Sequence, residues 1–554
     1  MSNTKRIIIV GGVAGGASAA ARIRRLSEEA EITMFERGKN ISFANCGMPY
    51  HIGGDIPNRD NLLVQTPEQM QKRYRIDVRT QCEVKSINRQ TKTVTVENLV
   101  THEQFTQNYD ALILSPGAEP FIPPTNGVKS SRVLTLRSLE DMDRIKEAVD
   151  KSLNQQAVVV GAGYIGLEMT EALVKRGISV TLIELANQIF TPADAEMTAP
   201  LLEQLETNGV DLKLGTSITN ISEINNSLEL TLSNNEKVTA GYVIMSIGVK
   251  PEVNLARAAG LKIGSTGGIE VNENMQTNDP NIYAVGDAVE VPHLLNGNKV
   301  LLPLAGPANR QGRIAADNIF GRKSIYKSSQ GTAICKIFDL AIAMTGLSEK
   351  NLKRLGKRYE KIYVHPASHA SYYPGSSQIT LKLLFDPENG KILGAQAVGA
   401  DGVDKRLDVL AVAIRAGRTV SDLADQELCY APPYGSAKDP VNYAGFVASN
   451  AISGDMPVCH VEQILSASEN QYLLDVRSKA EFQAGTIPNA KNIPLDELRN
   501  RISELPKDKE ALAFCQVGLR GYLACRIMQQ NKIPCRNLTG GYKIYKYYTA
   551  ANNP

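Results

Sequence analysis

Two cysteines stand where a sulfur could do chemistry without a partner. In SFANCGMPY, residues 42–50, Cys46 lies between Asn45 and a glycine, and the position five residues on is His51, so no C-x-x-x-x-C pair is completed. A single thiol cannot store an electron pair as an internal disulfide. Three routes remain to it: a mixed disulfide with a ligand, a persulfide, or a sulfenic acid. The thiolate is the useful form, so the site must lower the thiol pKa, and a helix starting just after Cys46 would act in that direction. The second thiol is Cys515. Here the apolar strand ALAF runs into the loop CQVGLR and then a helix from about Gly521. A loop curling round the sulfur points its amides inward, and with the helix dipole and Arg520 it stabilises a thiolate or a persulfide.

The elements that must position Cys46 are legible around it. RIIIVGGVAGGASAAARIRRL reads as a buried strand, a glycine turn and a helix, and ITMFERG follows as a strand ending in Glu36. That is a βαβ dinucleotide signature: Gly11 for the tight turn, Gly16 for close helix packing, and a helix N-terminus facing a pyrophosphate. Val13 replaces the middle glycine. A cleaner copy, QAVVVGAGYIGLEMTEALVKRGISVTLIEL, carries Gly161, Gly163 and Gly166 and ends at Glu184. An acid there suits a free ribose 2′-hydroxyl, so NADH is preferred, with NADPH as the alternative. YDALILSPGAEP and GYVIMSIGVKP read as apolar strands ending in small-residue turns. TNDPNIYAVGDAV places Asp287 at a strand end before a helix, where a carboxylate can accept from a flavin ribityl hydroxyl or cap the helix.

The whole chain sets the bounds. It has 554 residues, 43% hydrophobic and 21% charged, with a net charge of +3. That length implies three or four domains, and so small a charge argues against nucleic-acid partners. No apolar run approaches a membrane span, and MSNTKRIIIVGG passes straight into a strand, so no signal peptide is expected and the cytoplasm is the expected compartment. The eight cysteines form no C-x-x-C pair and read as free thiols in a reducing compartment. The six histidines are scattered and suggest no metal site.

Taken together, Gly11, Glu36, Ser115–Gly117 and Asp287 resemble the two-dinucleotide-fold flavoprotein reductases over roughly residues 5–445. The resemblance implies FAD held by Gly11, Val13, Gly16, Glu36, Ser115, Gly117, Asp287 and Ala305, NAD(P)H held by Gly161, Gly163, Gly166 and Glu184, and a C-terminal dimerisation domain. Within that group SFANCGMPY is similar to the S-F-x-N-C-G-x-P-Y signature of coenzyme A disulfide reductases and their NADH oxidase and peroxidase relatives. Ser42 and Asn45 would then help hold substrate or thiolate. Arg22 and Arg25, three apart on the first helix, share one face and suit the phosphates of coenzyme A; Lys72 and Arg73 are further candidates. LCYAPPYGSAKDPVNYAG resembles the family's dimer-domain motif, in which two tyrosines reach the partner subunit's active site as proton donors. Tyr372 and Tyr430 are assigned here, with Tyr373 and Tyr434 as close rivals.

The chain restarts after the small-residue segment GFVASNAISGDMPV. LLDVR, IPNAKNIP and CQVGLR resemble the signatures of a rhodanese sulfurtransferase domain, with Thr486 where many members carry histidine. The six-residue loop Cys515 to Arg520 is the length that implies sulfur chemistry, and Cys525 and Cys535 read as packing residues. The expected organisation is α/β: two Rossmann-like dinucleotide-binding domains, for FAD (1–118 and 250–327, discontinuous) and NAD(P)H (119–249), an α+β dimerisation domain (328–446), a linker (447–457) and an α/β rhodanese domain (458–554). The nearest family is the coenzyme A disulfide reductase–rhodanese fusion, also described as a persulfide or polysulfide reductase. It implies a homodimer in which NADH reduces FAD, FAD reduces the Cys46 site, and Cys515 carries sulfane sulfur to or from coenzyme A, whose pantetheine arm serves both sites. Coenzyme A disulfide and persulfide share the same first attack, so the motif leaves the substrate open between them; the fusion favours persulfide. Two alternatives stand beside it: an NADH oxidase or peroxidase cycling through a sulfenic acid, and a rhodanese module that binds sulfur without turnover.

Overall fold

The computed structural model describes residues 4–151 and 156–552. The chain divides into two compact units, Met1–Ile183 with Thr216–Ser329, and Glu184–Gly215 with Gln330–Pro554.

In the first unit, strand Arg6–Val10 lies parallel between Glu31–Glu36 and Ala111–Leu114, with Asp77–Thr80 and Ile282–Ala284 at the edges. Ile7, Ile8 and Ile9 are all buried, because helices cover both faces of a parallel sheet and leave no polar side. Helix Ala14–Leu26 packs on helix Ala305–Ile319 along small residues. A Cβ on Gly312 would sit 2.2 Å from the Gly15 carbonyl oxygen, so the two backbones touch. A second parallel set runs Ser179–Ile183, Gln156–Val160, Tyr242–Met245, Val133–Leu134. Both sets are Rossmann-like, and a three-stranded antiparallel sheet accompanies each. Asp287 lies in a single 3-10 turn, Gly286–Ala288, and strand Val289–Pro292 follows it. The helix expected there does not form, since the alternating valines of VEVP favour extended backbone.

The second unit holds a five-stranded antiparallel sheet, Ala333–Ile337, Leu340–Gly346, Ile392–Gly399, Thr380–Phe385, Glu360–Val364. The C-terminal region forms a parallel sheet of Val458–Cys459, Cys535–Leu538, Glu510–Phe514, Gln471–Asp475 and Lys491–Asn492. Segment 447–457, expected as a linker, is instead helical as far as Ser453. It completes helix Pro440–Ser453, which stops at Gly454 in the left-handed conformation. Small residues pack there: Ala444, Gly445 and Ala448 are buried.

The two sheets of this unit are fastened by buried polar contacts. The Tyr363 amide donates to Thr539 Oγ1 at 2.8 Å, and His365 Nε2 meets the Gly540 carbonyl at 3.2 Å. Burial lowers His365 to about 3, so it is the neutral ring that donates. Lys361 Nζ bridges Glu349 and Glu462, each at 2.9 Å. Beneath them Lys382 Nζ, fully buried, contacts Glu196 at 2.6 Å, Glu349 at 2.7 Å and Asp194 at 2.8 Å. These three carboxylates converge closely enough to hold a cation, and the cation is this ammonium. Among the described residues no helix is long and apolar enough to cross a membrane.

Candidate functional site

Both glycine turns are built for close approach. A Cβ on Gly16 would fall 1.9 Å from the Gly11 carbonyl oxygen, and one on Gly166 would fall 1.8 Å from that of Gly161. Any larger residue would therefore push helix away from strand. Gly163, by contrast, faces open space, with no atom within 4 Å of an added Cβ, as an approaching pyrophosphate requires. In the first copy Val13 occupies that middle position as the N-cap of helix Ala14–Leu26. The Glu36 carboxylate accepts from the amides of Gly12 and Gly38, both at 2.8 Å, and so pins the turn while lying at the strand end. Ser115 follows strand Ala111–Leu114, and Gly117 opens onto empty space at φ +76. Ala305 begins its helix. Glu184 directly follows strand Ser179–Ile183, and its Oε1 accepts from the Ala186 amide at 2.8 Å.

Asp287 gives the sharpest test of whether FAD fits. Burial raises its carboxyl above the ordinary range, and no described residue donates a hydrogen bond to it or forms an ion pair with it. A half-buried carboxylate without a protein donor costs stability, and ribityl hydroxyls would supply the missing donors. The residues present fit the flavin.

Cys46 is exposed and lies in a 3-10 turn, Asn45–Gly47, that leads into the short helix Met48–Gly53. Thiolate chemistry at neutral pH asks for a lowered thiol pKa. The chain by itself does the reverse: the residue is open at the surface, but the protein packed around its sulfur desolvates it and pushes the thiol up, and the Glu168 and Asp287 carboxylates add to it. Burial also raises Glu168, to about 7. Sequence spacing does not reveal Glu168, which lies 122 positions downstream on the second dinucleotide-binding helix, Tyr164–Lys175.

Beside Ser42 opens a cavity of about 300 Å³, lined among others by Ser18, Arg25, Gln65, Met70, Tyr74, Asn309 and Arg313. Arg25 lines it, but Arg22 does not share that face. Its guanidinium is held by Asp317 at 2.7 Å with both side chains largely buried. Lys72 and Arg73 are exposed on helix Pro67–Tyr74 and lie outside the lining, to which the same helix contributes Met70 and Tyr74. Arg313 supplies the second cationic group, and Asn309 accepts from Ser18 Oγ at 2.6 Å. Gln65 Oε1 is buried with no hydrogen-bond partner among the described residues, which leaves an acceptor ready for a ligand donor.

In the second unit Tyr372 and Tyr430 come together, their hydroxyls 3.1 Å apart on the surface. Tyr373 and Tyr434 are also exposed, but Tyr373 is turned edge-on to His369, ring centroids 5.7 Å apart.

Cys515 directly follows strand Glu510–Phe514 and is 1% exposed. Its sulfur accepts from the Gly518 amide at 3.1 Å. Gly518 takes φ +108 and turns the chain into helix Leu519–Gln530, two residues earlier than the sequence suggests. Arg520 forms a two-point pair with Glu481 at 2.6 and 2.7 Å. Glu481, and after it Cys515, raise the guanidinium above its usual range, while Arg520 holds the Glu481 carboxyl down at about 2. Thr486 donates to Asp475, which also binds Arg477 at 2.7 Å. Cys525 and Cys535 lie in the hydrophobic core.

Comparison with known proteins accords with this architecture. Residues 5–312 match the pyridine nucleotide-disulphide oxidoreductase family, 332–440 its dimerisation domain, and 460–547 the rhodanese-like domain. The coenzyme A disulfide reductase of Staphylococcus aureus (strain bovine RF122 / ET3-1) is 39% identical over 444 residues, 80% of this chain and 99% of that protein. The crystal structure of reduced Bacillus anthracis CoADR-RHD superposes with a TM-score of 0.97 at 48% identity, covering 99% of each chain. An NAD-dependent persulfide reductase from A. fulgidus superposes with a TM-score of 0.91 at 37% identity, covering 98% of this chain and 100% of that one. The chain belongs to the pyridine nucleotide-disulphide oxidoreductase family, as a flavin-dependent disulfide reductase of the coenzyme A disulfide reductase–rhodanese fusion type.

Proposed function

We propose that this enzyme reduces coenzyme A persulfide, or a polysulfide, with Cys46 as its single redox thiol, and that Cys515 carries sulfane sulfur. In this reading residues 1–118 with 250–327 bind FAD, 119–249 bind NADH in preference to NADPH, 328–446 form a homodimer, and 458–554 are the sulfurtransferase module. The compartment is the cytoplasm. The observation that carries it is the cavity beside Ser42: two guanidinium groups, Arg25 and Arg313, together with the unpartnered Gln65 acceptor, open four residues from an exposed thiol.

When bound, the nicotinamide and flavin supply the electron pair. The rest is done by the chain. Arg25 and Arg313 attract the ligand phosphates, while Ser42 and Asn45 steady the sulfur end. Cys46 thiolate attacks the outer sulfur of R–S–SH; the new bond makes Cys46–S–SH, and R–S⁻ leaves. Two electrons then break the Cys46 persulfide to thiolate and HS⁻. Tyr372 and Tyr430 of the partner subunit donate protons to the departing thiolate. At Cys515 the Gly518 amide and Arg520 steady a bound sulfane sulfur. Covalent fusion raises the local concentration of the carried sulfur.

Anaerobic stopped-flow spectroscopy tests the substrate class. Reoxidation of reduced enzyme by coenzyme A persulfide should exceed that by hydrogen peroxide or oxygen at equal concentration by about a hundredfold, the span set by roughly 3 kcal/mol of ligand recognition. Faster reoxidation by peroxide would assign an oxidase or peroxidase instead.

A further inference from the structure

The two guanidinium groups beside the Cys515 loop are each closed off by a carboxylate of the same domain. Arg477 is 2% exposed. Its Nε and Nη2 reach Asp475 at 3.0 and 2.7 Å, Nη2 also reaches the Gly485 carbonyl at 2.7 Å, and Nη1 reaches Gln516 Oε1 at 3.3 Å. Every nitrogen of that group is therefore occupied. Arg520 closes the loop two residues after Gly518, whose amide holds the sulfur at 3.1 Å. Its Nη1 and Nη2 go to the two oxygens of Glu481 at 2.7 and 2.6 Å. Glu481 is itself fixed on helix Lys479–Gln483: its amide donates to Ser478 Oγ at 3.2 Å, and the Ser478 amide donates to Glu481 Oε2 at 3.0 Å. The Arg520 and Glu481 side chains are 36% and 34% exposed. This pair, and not the sealed Arg477, is the one an incoming ligand meets.

Helix Gly541–Asn552 straps the loop from another side. Its Tyr542 amide donates to the Cys515 carbonyl at 2.7 Å and its Lys543 amide to the Gln516 carbonyl at 3.0 Å. The Lys543 ammonium is turned to Gln378 at 2.5 Å, and the exposed Lys546 lies over the Tyr542 ring, 5.7 Å from its centroid.

Sulfane sulfur can reach Cys515 from two kinds of donor. With thiosulfate, the Cys515 thiolate attacks the outer sulfur, a Cys515–S–S⁻ bond forms, the S–S bond of thiosulfate breaks, and sulfite leaves with the electron pair. With an organic persulfide R–S–SH, Cys515–S–SH forms and R–S⁻ leaves. The first donor is a dianion and gains most from a bare guanidinium; the second carries at most one charge at the reacting end.

We propose that Glu481 is a positioning residue that sets the donor preference of the sulfurtransferase loop: by taking both Nη groups of Arg520 it disfavours thiosulfate and leaves organic persulfides as the donors. The inference rests on Cys515 being the sulfur carrier of the proposed function. Arg520 holds the Glu481 carboxyl down at about 2, so the two charges oppose each other throughout the neutral range.

The test is the rate at which the full-length enzyme gains a sulfur on Cys515, with thiosulfate or N-acetylcysteamine persulfide as donor. Mass spectrometry of the Cys515 peptide separates it from the exposed Cys46 and Cys429. In Glu481→Gln, loading from thiosulfate should rise about tenfold through a lower half-saturating concentration, the effect of one unit of charge on a dianion near the surface. Loading from the persulfide should rise by no more than about threefold, since its charge is half as large. A glutamate that only holds the loop in shape would give, on removal, a fall with both donors. That result overturns the inference, as does an equal change with the two donors or no change with thiosulfate. If Glu481→Gln does not fold, the salt profile of the wild type decides, between about 0.01 and 1 M, where the Debye length falls from about 30 to about 3 Å. Thiosulfate loading that varies less than about twofold supports the inference, and a steep fall overturns it. Any overturning result in an enzyme whose sulfur loading still requires Cys515 sinks this inference alone. Sulfur transfer undiminished in Cys515→Ser sinks the carrier role in the proposed function, whatever Glu481 does.

Discussion

Replacing Lys382 by methionine should be among the most damaging single changes outside the redox site. The side chain is fully buried, and its ammonium touches Asp194, Glu196 and Glu349 at 2.6–2.8 Å. Burial alone would raise Asp194 and Glu349, but the Lys382 ammonium outweighs it, and both carboxyls lie below their usual range. After the change Glu349 keeps Lys361 at 2.9 Å, and Glu196 keeps the Tyr363 hydroxyl at 2.6 Å. Among the described residues Asp194 keeps only neutral donors in direct hydrogen bonds: Gln396 Nε2 at 2.6 Å and the amides of Glu349 at 3.0 Å and Lys350 at 3.3 Å. Stranding buried carboxylates costs about 3–5 kcal/mol, which lowers the apparent Tm by about 8–16 °C. The pH dependence fixes the sign. In the wild type the lowered carboxyls contribute stability that is present above about pH 4, their unfolded value, and is lost as pH falls through the folded values. In Lys382→Met the Asp194 carboxylate loses its ammonium and burial raises it against neutral donors alone, so acid relieves the variant by protonating it. The Tm gap between the two proteins, read by scanning fluorimetry, should therefore narrow from pH 7.5 to pH 5. A loss of under about 1 kcal/mol, or a gap that widens in acid, would refute the reasoning.

Other expectations follow from the same contacts. Cys515→Ser should lower thiosulfate- or polysulfide-dependent turnover at least tenfold in a coupled NADH assay, while turnover with preformed coenzyme A persulfide survives; about tenfold corresponds to 1.4 kcal/mol. Arg25→Met should raise KM for the coenzyme A substrate about fivefold with kcat little changed, since an exposed guanidinium contributes about 1 kcal/mol to binding a phosphate. Arg22→Met should leave KM nearly unchanged and lower Tm, because its partner is Asp317 at 2.7 Å.

What the sequence discloses, and what it hides, follows from range. Gly161, Gly163 and Gly166 are legible because a tight turn, an open approach and a helix contact are set within six residues of one another. Cys46 and Cys515 are legible for the same reason, each embedded in a short loop of fixed composition. Arg22 and Arg25 look equivalent on a helix, and only Asp317, 295 positions from Arg22, separates them. Arg313 and Gln65 reach the cavity from elements far apart in the chain, so no spacing connects them to Ser42. The 447–457 segment reads as a linker because small residues suit loops as well as close-packed helices; here the close packing of Ala444, Gly445 and Ala448 decides. The Lys382 cluster gathers side chains from four separate stretches, and each taken singly is an ordinary charged residue.

Single-turnover reduction of coenzyme A persulfide by Cys46→Ala holoenzyme, followed anaerobically by sulfide release, tests the central claim most directly. The account predicts that the variant still accepts electrons from NADH and releases sulfide at least a thousandfold more slowly, a loss of about 4 kcal/mol of barrier lowering. Sulfide released at the wild-type rate would contradict it.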